Sequence, residues 1–243
     1  MRTFAIRRTA PPAHEGTPFW ERPEHVEWFA RRTPDRRLTE LLADRPPGVR
    51  VLDVGCAAGR NTVWCARAGF DVHALDASRA MVARTRQRVA GVLGERAARR
   101  RVRRGVMTDL GAFPDASFDL VACIGVLPSA PTAAAWHAAV SEIARVLRPG
   151  ATFLLTHFSP DPDPGAPAWT PVPGAPGRYR SAEHGRNAYL LCAAELDRDL
   201  ARHGFAPTVA TARVPLTSMN PNARDRTVLN ALHRRLPTEE ALR

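Results

Sequence analysis

The fold is decided by residues Val49–Asp76, which read VRVLDVGCAAGRNTVWCARAGFDVHALD. An apolar run, Val49–Val54, has the length and composition of a buried strand and leads into a turn of small residues. The stretch Arg60–Ala68 has helical character and ends at Gly69, after which Asp71–Leu75 has the pattern of a second strand. This order of strand, small-residue turn, helix and strand is typical of a nucleotide-type pocket at the edge of a parallel sheet.

Strand and helix patterns alternate along the rest of the chain. In order, they predict two helices within Phe19–Leu42, a helix Arg79–Leu93 that starts after Ser78, strands Arg101–Met107 and Phe118–Ile124, a helix Ala133–Leu147, a strand Thr152–His157, a helix Ala193–His203, and closing strands Thr208–Pro215 and Arg226–Leu232. This alternation predicts an α/β, doubly wound, Rossmann-like fold. The sheet is expected to be seven-stranded and mainly parallel, with helices on both faces and an antiparallel closing strand.

The two flanks of the alternating region differ from its centre. Residues 1–45 are expected to form an N-terminal segment with lid helices, and the Pro-rich residues 1–17 are expected to be poorly ordered. Residues 46–243 are expected to form a single domain. Within it, Ser159–Arg178 is rich in proline, lacks periodicity and is too long for a plain connection. We therefore expect a lid or binding loop at about residues 159–190.

The composition fits one globular α/β domain, with 243 residues and a hydrophobic fraction of 44%. The net charge of +11 and the pI of about 11.1 allow a nucleic-acid partner. Every basic residue is Arg, however, which indicates a coding bias and disfavours that partner. The densest run, Arg96–Arg104, holds six arginines in nine residues and is expected to be a solvated connection, with an anion or RNA patch as the alternative.

The cysteines and the hydropathy restrict the class of protein further. Cys56, Cys65, Cys123 and Cys192 form no Cys-x-x-Cys pair, which argues against a disulfide framework and against a metal site. No apolar run approaches the roughly 18 residues that span a bilayer, and the N-terminus has no apolar signal region. We expect a cytoplasmic protein with reduced thiols and no membrane partner, either a monomer or a homodimer.

Three aspartates narrow the ligand class of the pocket. Asp76 ends the second strand 21 residues after Gly55, where an acid that binds ribose hydroxyls is expected about 20 residues on. Asp53 lies inside the first strand, where a carboxylate would repel a pyrophosphate but suit an ammonium group. Asp109 follows the third strand and can accept a hydrogen bond from an adenine amino group. An amine, a ribose and an adenine without phosphate are the parts of S-adenosylmethionine.

The chain resembles the class I S-adenosylmethionine-dependent methyltransferases. The matching segments lie in family order and spacing and are Val51–Gly59, Ala74–Ser78, Asp109–Leu110, Phe118–Val121 and Ala144–Gly150, with Glu195-Leu196 and Gly204-Phe205 similar to the family's last helix. A looser resemblance, at Gly59–Thr62 and Gly69–Val72, is to the tellurite-resistance and thiol-methylating branch.

The resemblance implies S-adenosylmethionine as cofactor, S-adenosylhomocysteine as product, and a small-molecule acceptor with an O, N, S or chalcogen nucleophile. The cofactor contacts that it implies are Asp53, Gly55, Cys56, Ala57, Gly59, Asn61, Asp76, Ala77, Met81, Asp109, Leu110, Cys123, Ile124 and Gly125. The family usually has Gly where Ala57 stands. Because a Cβ disfavours positive φ, we expect a tighter or shifted turn there.

Methyl transfer from a sulfonium depends mainly on proximity, and a general base is needed only if the acceptor must lose a proton. His157, at the end of the fifth predicted strand, is the candidate base, and a hydrogen-bonded structural histidine is the alternative. Candidate acceptor contacts, each with structural packing as the alternative, are Trp20, Val126, Trp169 and His184.

Three other classes stay open at this stage. A base-methylating nucleic-acid enzyme is disfavoured because Ile124–Ser129 lacks an Asn/Asp-Pro-Pro-aromatic motif, but an RNA methyltransferase of another type is allowed. A dinucleotide oxidoreductase is disfavoured by Asp53 and by the antiparallel closing strands. A non-enzymatic cofactor-binding module is disfavoured by the elaborated segment Ser159–Arg178.

Overall fold

The computed structural model describes residues 18–160, 169–181, 186–216 and 226–237. The strands are β1 (Arg50–Val54), β2 (Asp71–Asp76), β3 (Val102–Arg104), β4 (Phe118–Ile124), β5 (Leu147–Phe158), β6 (Trp169–Pro171), β7 (Arg178–Ser181), β8 (Asn187–Tyr189), β9 (Phe205–Pro207), β10 (Ala212–Leu216) and β11 (Arg226–Arg235). The helices are α1 (Pro23–Ala30), α2 (Arg36–Leu42), α3 (Arg60–Arg67), α4 (Arg79–Leu93), α5 (Glu95–Arg101), α6 (Ala133–Val146) and α7 (Ala193–Arg202), with 3₁₀ helices at Phe19–Glu21 and Leu127–Ser129.

The main sheet has the order β10-β11-β5-β4-β1-β2-β3, and β9 pairs with β11 as an eighth strand. Strands β1 to β5 are parallel, whereas β11 is antiparallel to β5, β9 and β10. The predicted Rossmann-like fold is therefore confirmed, with one short strand more than expected. Because the strand order reverses between β1 and β4, a cleft opens beyond the carboxyl ends of these two strands.

Helices cover both faces of the sheet. On one face α2 and α3 lie over β1, and the side chains of Leu38, Leu42 and Cys65 pack with Val51. On the other face α6 and α7 lie over β4 and β5, where Trp136 is fully buried in the largest apolar cluster. The helix α2 therefore belongs to the core, although it precedes the first strand.

The arginine-rich run is not the solvated connection that the sequence predicts. Its first part is helix α5, and the third strand covers only Val102–Arg104 instead of Arg101–Met107. Ala98 and Val102 are fully buried, whereas the neighbouring Arg99 and Arg100 are exposed. Arginine and alanine are both good helix formers, so a single buried alanine is enough to dock a short helix beside α4.

The segment expected to be an aperiodic loop contains a small antiparallel sheet. Strands β6, β7 and β8 pair in that order, and we call them the cap sheet. Its Tyr189 is 6% exposed, and its ring lies so close to Gly177 that a Cβ there would be 2.4 Å from the ring. Burial of this tyrosine against the main domain stabilises strands that have no sequence periodicity of their own.

No helix in the described ranges of the chain is long and apolar enough to cross a membrane.

The burial of α2 predicts that truncating it destabilises the whole protein. We expect Leu38→Ala, at a fully buried position, to lower the free energy of unfolding by about 2–5 kcal/mol, measured by urea denaturation. Leu41→Ala, at a half-buried position on the same helix, is the matched control and should cost about 1 kcal/mol. Equal effects of the two changes would contradict the assignment of α2 to the core.

Candidate active site

The turn after β1 is tied to the end of β2. The N–H groups of Gly55 and Cys56 both donate to the Leu75 carbonyl, at 2.9 and 3.0 Å. Gly55 has φ 71°, and a Cβ on it would lie 2.6 Å from the side chain of Val126. Glycine is required here because the chain takes a left-handed conformation and a neighbouring side chain lies directly against its Cα.

Ala57 adopts the left-handed conformation itself, with φ 47°. Ala57 therefore takes the conformation that its Cβ disfavours, and a tighter or shifted turn relative to the family stays a prediction. The Ala57 N–H donates to Asp76 Oδ2 at 2.9 Å, and its carbonyl accepts from Thr85 Oγ1 at 2.7 Å. These two hydrogen bonds hold a conformation that costs an L-residue about 1–2 kcal/mol.

Asp76 sits at the centre of the site. Its Oδ2 accepts from Ala57 N–H and its Oδ1 accepts from Ser78 N–H, both at 2.9 Å. A carboxylate has about four acceptor positions, so each oxygen retains one for a ligand hydroxyl. Burial raises the pKa of Asp76 and Glu21 raises it further, whereas the backbone hydrogen bonds oppose the shift.

Asp53 is the second carboxylate of the site and is almost fully buried inside β1. Its Oδ2 accepts from Thr62 Oγ1 at 2.6 Å. Burial raises the pKa of Asp53 to about 6, with Asp76 acting in the same direction, while Thr62 and Arg60 act in the opposite one. A buried carboxylate with a raised pKa favours a cationic ligand, since a positive charge would stabilise its ionised form.

A cleft of about 490 Å³ extends from Ala77, directly after the end of β2, to the segment after β3. Its lining residues are Leu75, Ala77, Arg104, Gly105, Val106, Asp109, Ala112 and Phe113. Asp109 is exposed, and its Oδ1 accepts from Gly111 N–H at 3.0 Å. The predicted residue Leu110 is fully buried behind the cleft, where its N–H donates to Glu142.

The end of β4 forms the opposite wall of the site. Cys123 is fully buried, Ile124 and Val126 are half-buried, and the Gly125 N–H donates to the Thr156 carbonyl at 3.0 Å. Burial raises the pKa values of Cys56 and Cys123, so both thiols are neutral and unsuited to act as nucleophiles. In the described part of the chain no group of three or more His, Cys, Asp or Glu side chains could hold a metal ion.

The N-terminal segment covers the site beside Asp76. The Trp20 carbonyl accepts from Ser78 Oγ at 2.8 Å, and the Glu21 carboxylate accepts from the N–H groups of Arg79 and Ala80. Sequence reasoning missed Glu21. The one available signal is that the first turn of α4 has no acid of its own, which leaves its N-terminal N–H groups for an acid from elsewhere.

Two predicted cofactor contacts face the N-terminal helices. Met81 is fully buried in a cluster with Val26 of α1 and Ala58 of the turn. The Asn61 Oδ1 accepts from Asp35 N–H, at 2.8 Å, just before α2. These residues join the turn to its cover, whereas Gly59 is the N-cap residue before α3, with φ 79°, and lies against Thr85.

The predicted acceptor residues are dispersed. His157 is fully buried beneath the cap sheet, and burial lowers its pKa to about 3, so the predicted role as general base is not supported. Trp169 stacks on Phe158, with ring centroids 6.0 Å apart. Trp20 is 38% exposed at the mouth of the site, and His184 lies outside the described residues.

Comparison with known proteins agrees with this geometry. Residues 52–155 match the family described as "Methyltransferase domain". A curated ubiquinone biosynthesis O-methyltransferase of Hahella chejuensis is 33% identical over 118 residues, which cover 48% of this chain and 46% of that protein. The chain thus spans about half the length of the curated relatives that it matches.

Two solved structures share the fold. An S-adenosylmethionine-dependent methyltransferase of Methanosarcina mazei has a TM-score of 0.65 and 20% identity, covering 82% of this chain and 98% of its own. The 1,6-didemethyltoxoflavin-N1-methyltransferase of Burkholderia thailandensis has a TM-score of 0.60 and 24% identity, covering 83% of this chain and 78% of its own. Residues 52–155 are thus similar to the methyltransferase domain family, and the chain shares the fold of these two solved methyltransferases.

The strain at Ala57 predicts an unusual stabilising change. We expect Ala57→Gly to raise the free energy of unfolding by about 1 kcal/mol, because glycine adopts positive φ without steric cost. Ala58→Gly, at the neighbouring buried position without positive φ, should instead destabilise the protein. Thermal denaturation measures both, and a lower midpoint for Ala57→Gly would show that the turn is not strained.

Proposed function

We propose that the whole chain is an enzyme that transfers a methyl group from S-adenosylmethionine to a small-molecule acceptor. The observation that carries this proposal is the placement of Asp76, whose two oxygens are fixed by Ala57 and Ser78 and keep free acceptor positions for a ribose diol. Asp53, nearby in the first strand, suits an ammonium group.

The engaged N–H groups of the turn support this ligand over a dinucleotide. A pyrophosphate binds to free N–H groups at such a turn. Here the N–H groups of Gly55 and Cys56 donate to Leu75, and that of Ala57 donates to Asp76. Together with two carboxylates, this leaves a site that is suited to a cationic, phosphate-free nucleoside.

The residues of the chain would act by holding and orienting the two reactants. S-adenosylmethionine supplies a methyl group already activated on a sulfonium. Asp76 would bind the ribose hydroxyls, Asp53 would face the ammonium group, and the cleft at Ala77 and Asp109 would take the adenine. Val126 would close the methyl-donor end. Such fixed proximity supplies most of the rate in a displacement that needs no covalent intermediate.

Relatives support a small organic acceptor. One is named a ubiquinone biosynthesis O-methyltransferase, and another is described with bound 1,6-didemethyltoxoflavin and S-adenosylhomocysteine. The four cysteines are free, which is consistent with a cytoplasmic location, where the enzyme would act as a monomer or homodimer. Release of S-adenosylhomocysteine over a panel of phenols, amines and thiols tests the activity, and no release with any acceptor despite tight cofactor binding would support a binding module instead.

Replacing the central carboxylate should weaken cofactor binding. We expect Asp76→Asn to lower the affinity for S-adenosylhomocysteine at least about tenfold, because two charge-assisted hydrogen bonds to the ribose are lost. Isothermal titration calorimetry measures the affinity. Asp44→Asn, at an exposed position, is the control and should bind like the parent protein. Equal affinity of the two variants for S-adenosylhomocysteine would show that Asp76 does not bind the ribose.

The raised pKa of Asp53 predicts pH-dependent binding. Below pH about 6 the carboxyl is protonated and neutral, and above it the carboxylate attracts the ammonium group of the ligand. We therefore expect the affinity for S-adenosylhomocysteine to be constant well above pH 6. Below pH 6 the affinity should fall, by at most roughly tenfold per pH unit.

Calorimetry between pH 5 and 8 measures this dependence. Asp53→Asn keeps an oxygen that accepts the Thr62 hydrogen bond, and it should bind more weakly at pH 8 with a flatter profile. An unchanged profile in this variant would assign the titration to another group.

A further inference from the structure

The excess positive charge of the protein is concentrated in one part of the chain. Residues 79–104, which contain α4, α5 and β3, hold ten arginines and a single acid, Glu95. They therefore carry nine of the eleven excess positive charges of the chain. A coding bias explains why every basic residue is Arg. Because such a bias acts on the whole chain, it does not explain why the excess lies in these residues.

Few of these ten arginines are compensated by carboxylates. The ion pairs are Arg84 with Glu27, Arg101 with Asp71, and Arg99 with Glu95. Within the described ranges, the other seven arginines form no ion pair. Four of the seven bind backbone carbonyls, and they are Arg86, Arg88, Arg103 and Arg104. A carbonyl holds a guanidinium in place without neutralising its charge, so these arginines keep their charge for a partner.

Six of the seven lie along one edge of the main sheet. This edge is β3, the last strand in the sheet order, and α5 leads directly into it. Arg86 of α4 donates to the Val102 carbonyl at 2.9 Å, and Arg79 lies two helical turns before Arg86 on the same face of α4. We call this surface the arginine strip, and its members are Arg79, Arg86, Arg96, Arg100, Arg103 and Arg104.

The strip is continuous and open to solvent. Arg103 joins β3 to α5 by donating to the Arg100 carbonyl at 3.3 Å, and Arg104 joins β3 to the start of α4 by donating to the Ala77 carbonyl at 3.1 Å. All its members except the half-buried Arg86 are exposed. Since α4 has 15 residues, it is about 22 Å long, and the strip presents six positive charges along an edge of about this length.

This density of charge matches the phosphate backbone of a nucleic-acid duplex. One strand of a duplex carries a negative charge about every 3.4 Å, so an edge of about 22 Å meets about six phosphates. Guanidinium groups suit this partner because their planar set of N–H donors binds two phosphate oxygens at once.

Two other polyanions fit the strip less well. Residues 79–104 present no exposed large apolar side chain, which a protein surface needs to enter the interface of an anionic membrane. They also contain no aromatic residue, whereas surfaces that bind single strands stack the bases on aromatic rings. The paired backbone of a duplex requires neither feature.

We propose that the arginine strip binds a duplex region of RNA or DNA through its phosphates, without reading the base sequence. The duplex lies along the edge of the sheet, from α5 to the mouth of the cleft that Arg104 also lines. A charged edge strand also prevents pairing with a second chain, but that role concerns β3 and does not account for the arginines on α4 and α5.

Fluorescence anisotropy of the full chain with labelled duplexes of about 20 base pairs tests the proposal. We expect both RNA and DNA duplexes to bind, with a slope of log affinity against log salt of about −4 to −5, for about five neutralised phosphates. Tighter binding of one duplex identifies the natural partner, and equal binding indicates contact with phosphates alone. Absence of binding to both at low salt would overturn the proposal.

A triple variant locates the surface. Arg96→Gln, Arg100→Gln and Arg103→Gln together should weaken duplex binding at least about tenfold and reduce the salt slope by about 3. The matched control removes three exposed arginines from other elements, by Arg31→Gln, Arg45→Gln and Arg198→Gln, and should change duplex binding less than about threefold. Equal losses in the two triple variants would show a general effect of net charge and refute the strip.

Two measurements on the unmodified protein complete the test and do not depend on the folding of any variant. Hydrogen–deuterium exchange with bound duplex should show protection in α5 and β3 and none in α7, and protection confined to other elements would contradict the proposal. Vesicles of phosphatidylglycerol should bind more weakly than the duplexes at the same salt. Tighter binding of the vesicles would assign the strip to a membrane instead.

Discussion

The hydrogen bonds between the turn after β1 and the end of β2 are the constraint on which the rest of the site depends. Three successive N–H groups, of Gly55, Cys56 and Ala57, bond to the Leu75 carbonyl and the Asp76 carboxylate. They fix the distance between the two strand ends, hold Ala57 at positive φ and orient Asp76. Because these donors are used within the protein, they are not free to bind a phosphate, as the N–H groups of a dinucleotide-binding turn are.

The N-terminal segment and the segment of the cap sheet are attached to different parts of the main domain and touch each other. Glu21 and Trp20 attach the first segment to the start of α4, and Tyr189 attaches the second to the main domain. The guanidinium of Arg186 lies 4.3 Å from the ring centroid of Phe19, which joins the two segments.

The fold could largely be predicted from local sequence. The strands β1, β2 and β4 and helices α3 and α4 lie within a residue or two of the predictions, because buried apolar runs, Ser78 as N-cap and Gly69 are local signals. The segments that pack around this core could not be predicted in this way. Glu21 caps a helix 58 residues away, and His157 faces a cap whose strands lack periodicity.

The sequence by itself determined the parallel α/β core and the place of its candidate pocket, because Asp53, Gly55 and Asp76 lie within one strand–helix–strand unit. Tertiary structure decided the rest. Only the fold shows that Ala57 adopts positive φ while its N–H donates to Asp76, and that His157 of β5 is fully buried near Trp136 of α6. The physical reason is that burial and hydrogen-bond satisfaction depend on residues distant in the chain, whereas strand and turn patterns depend on neighbours.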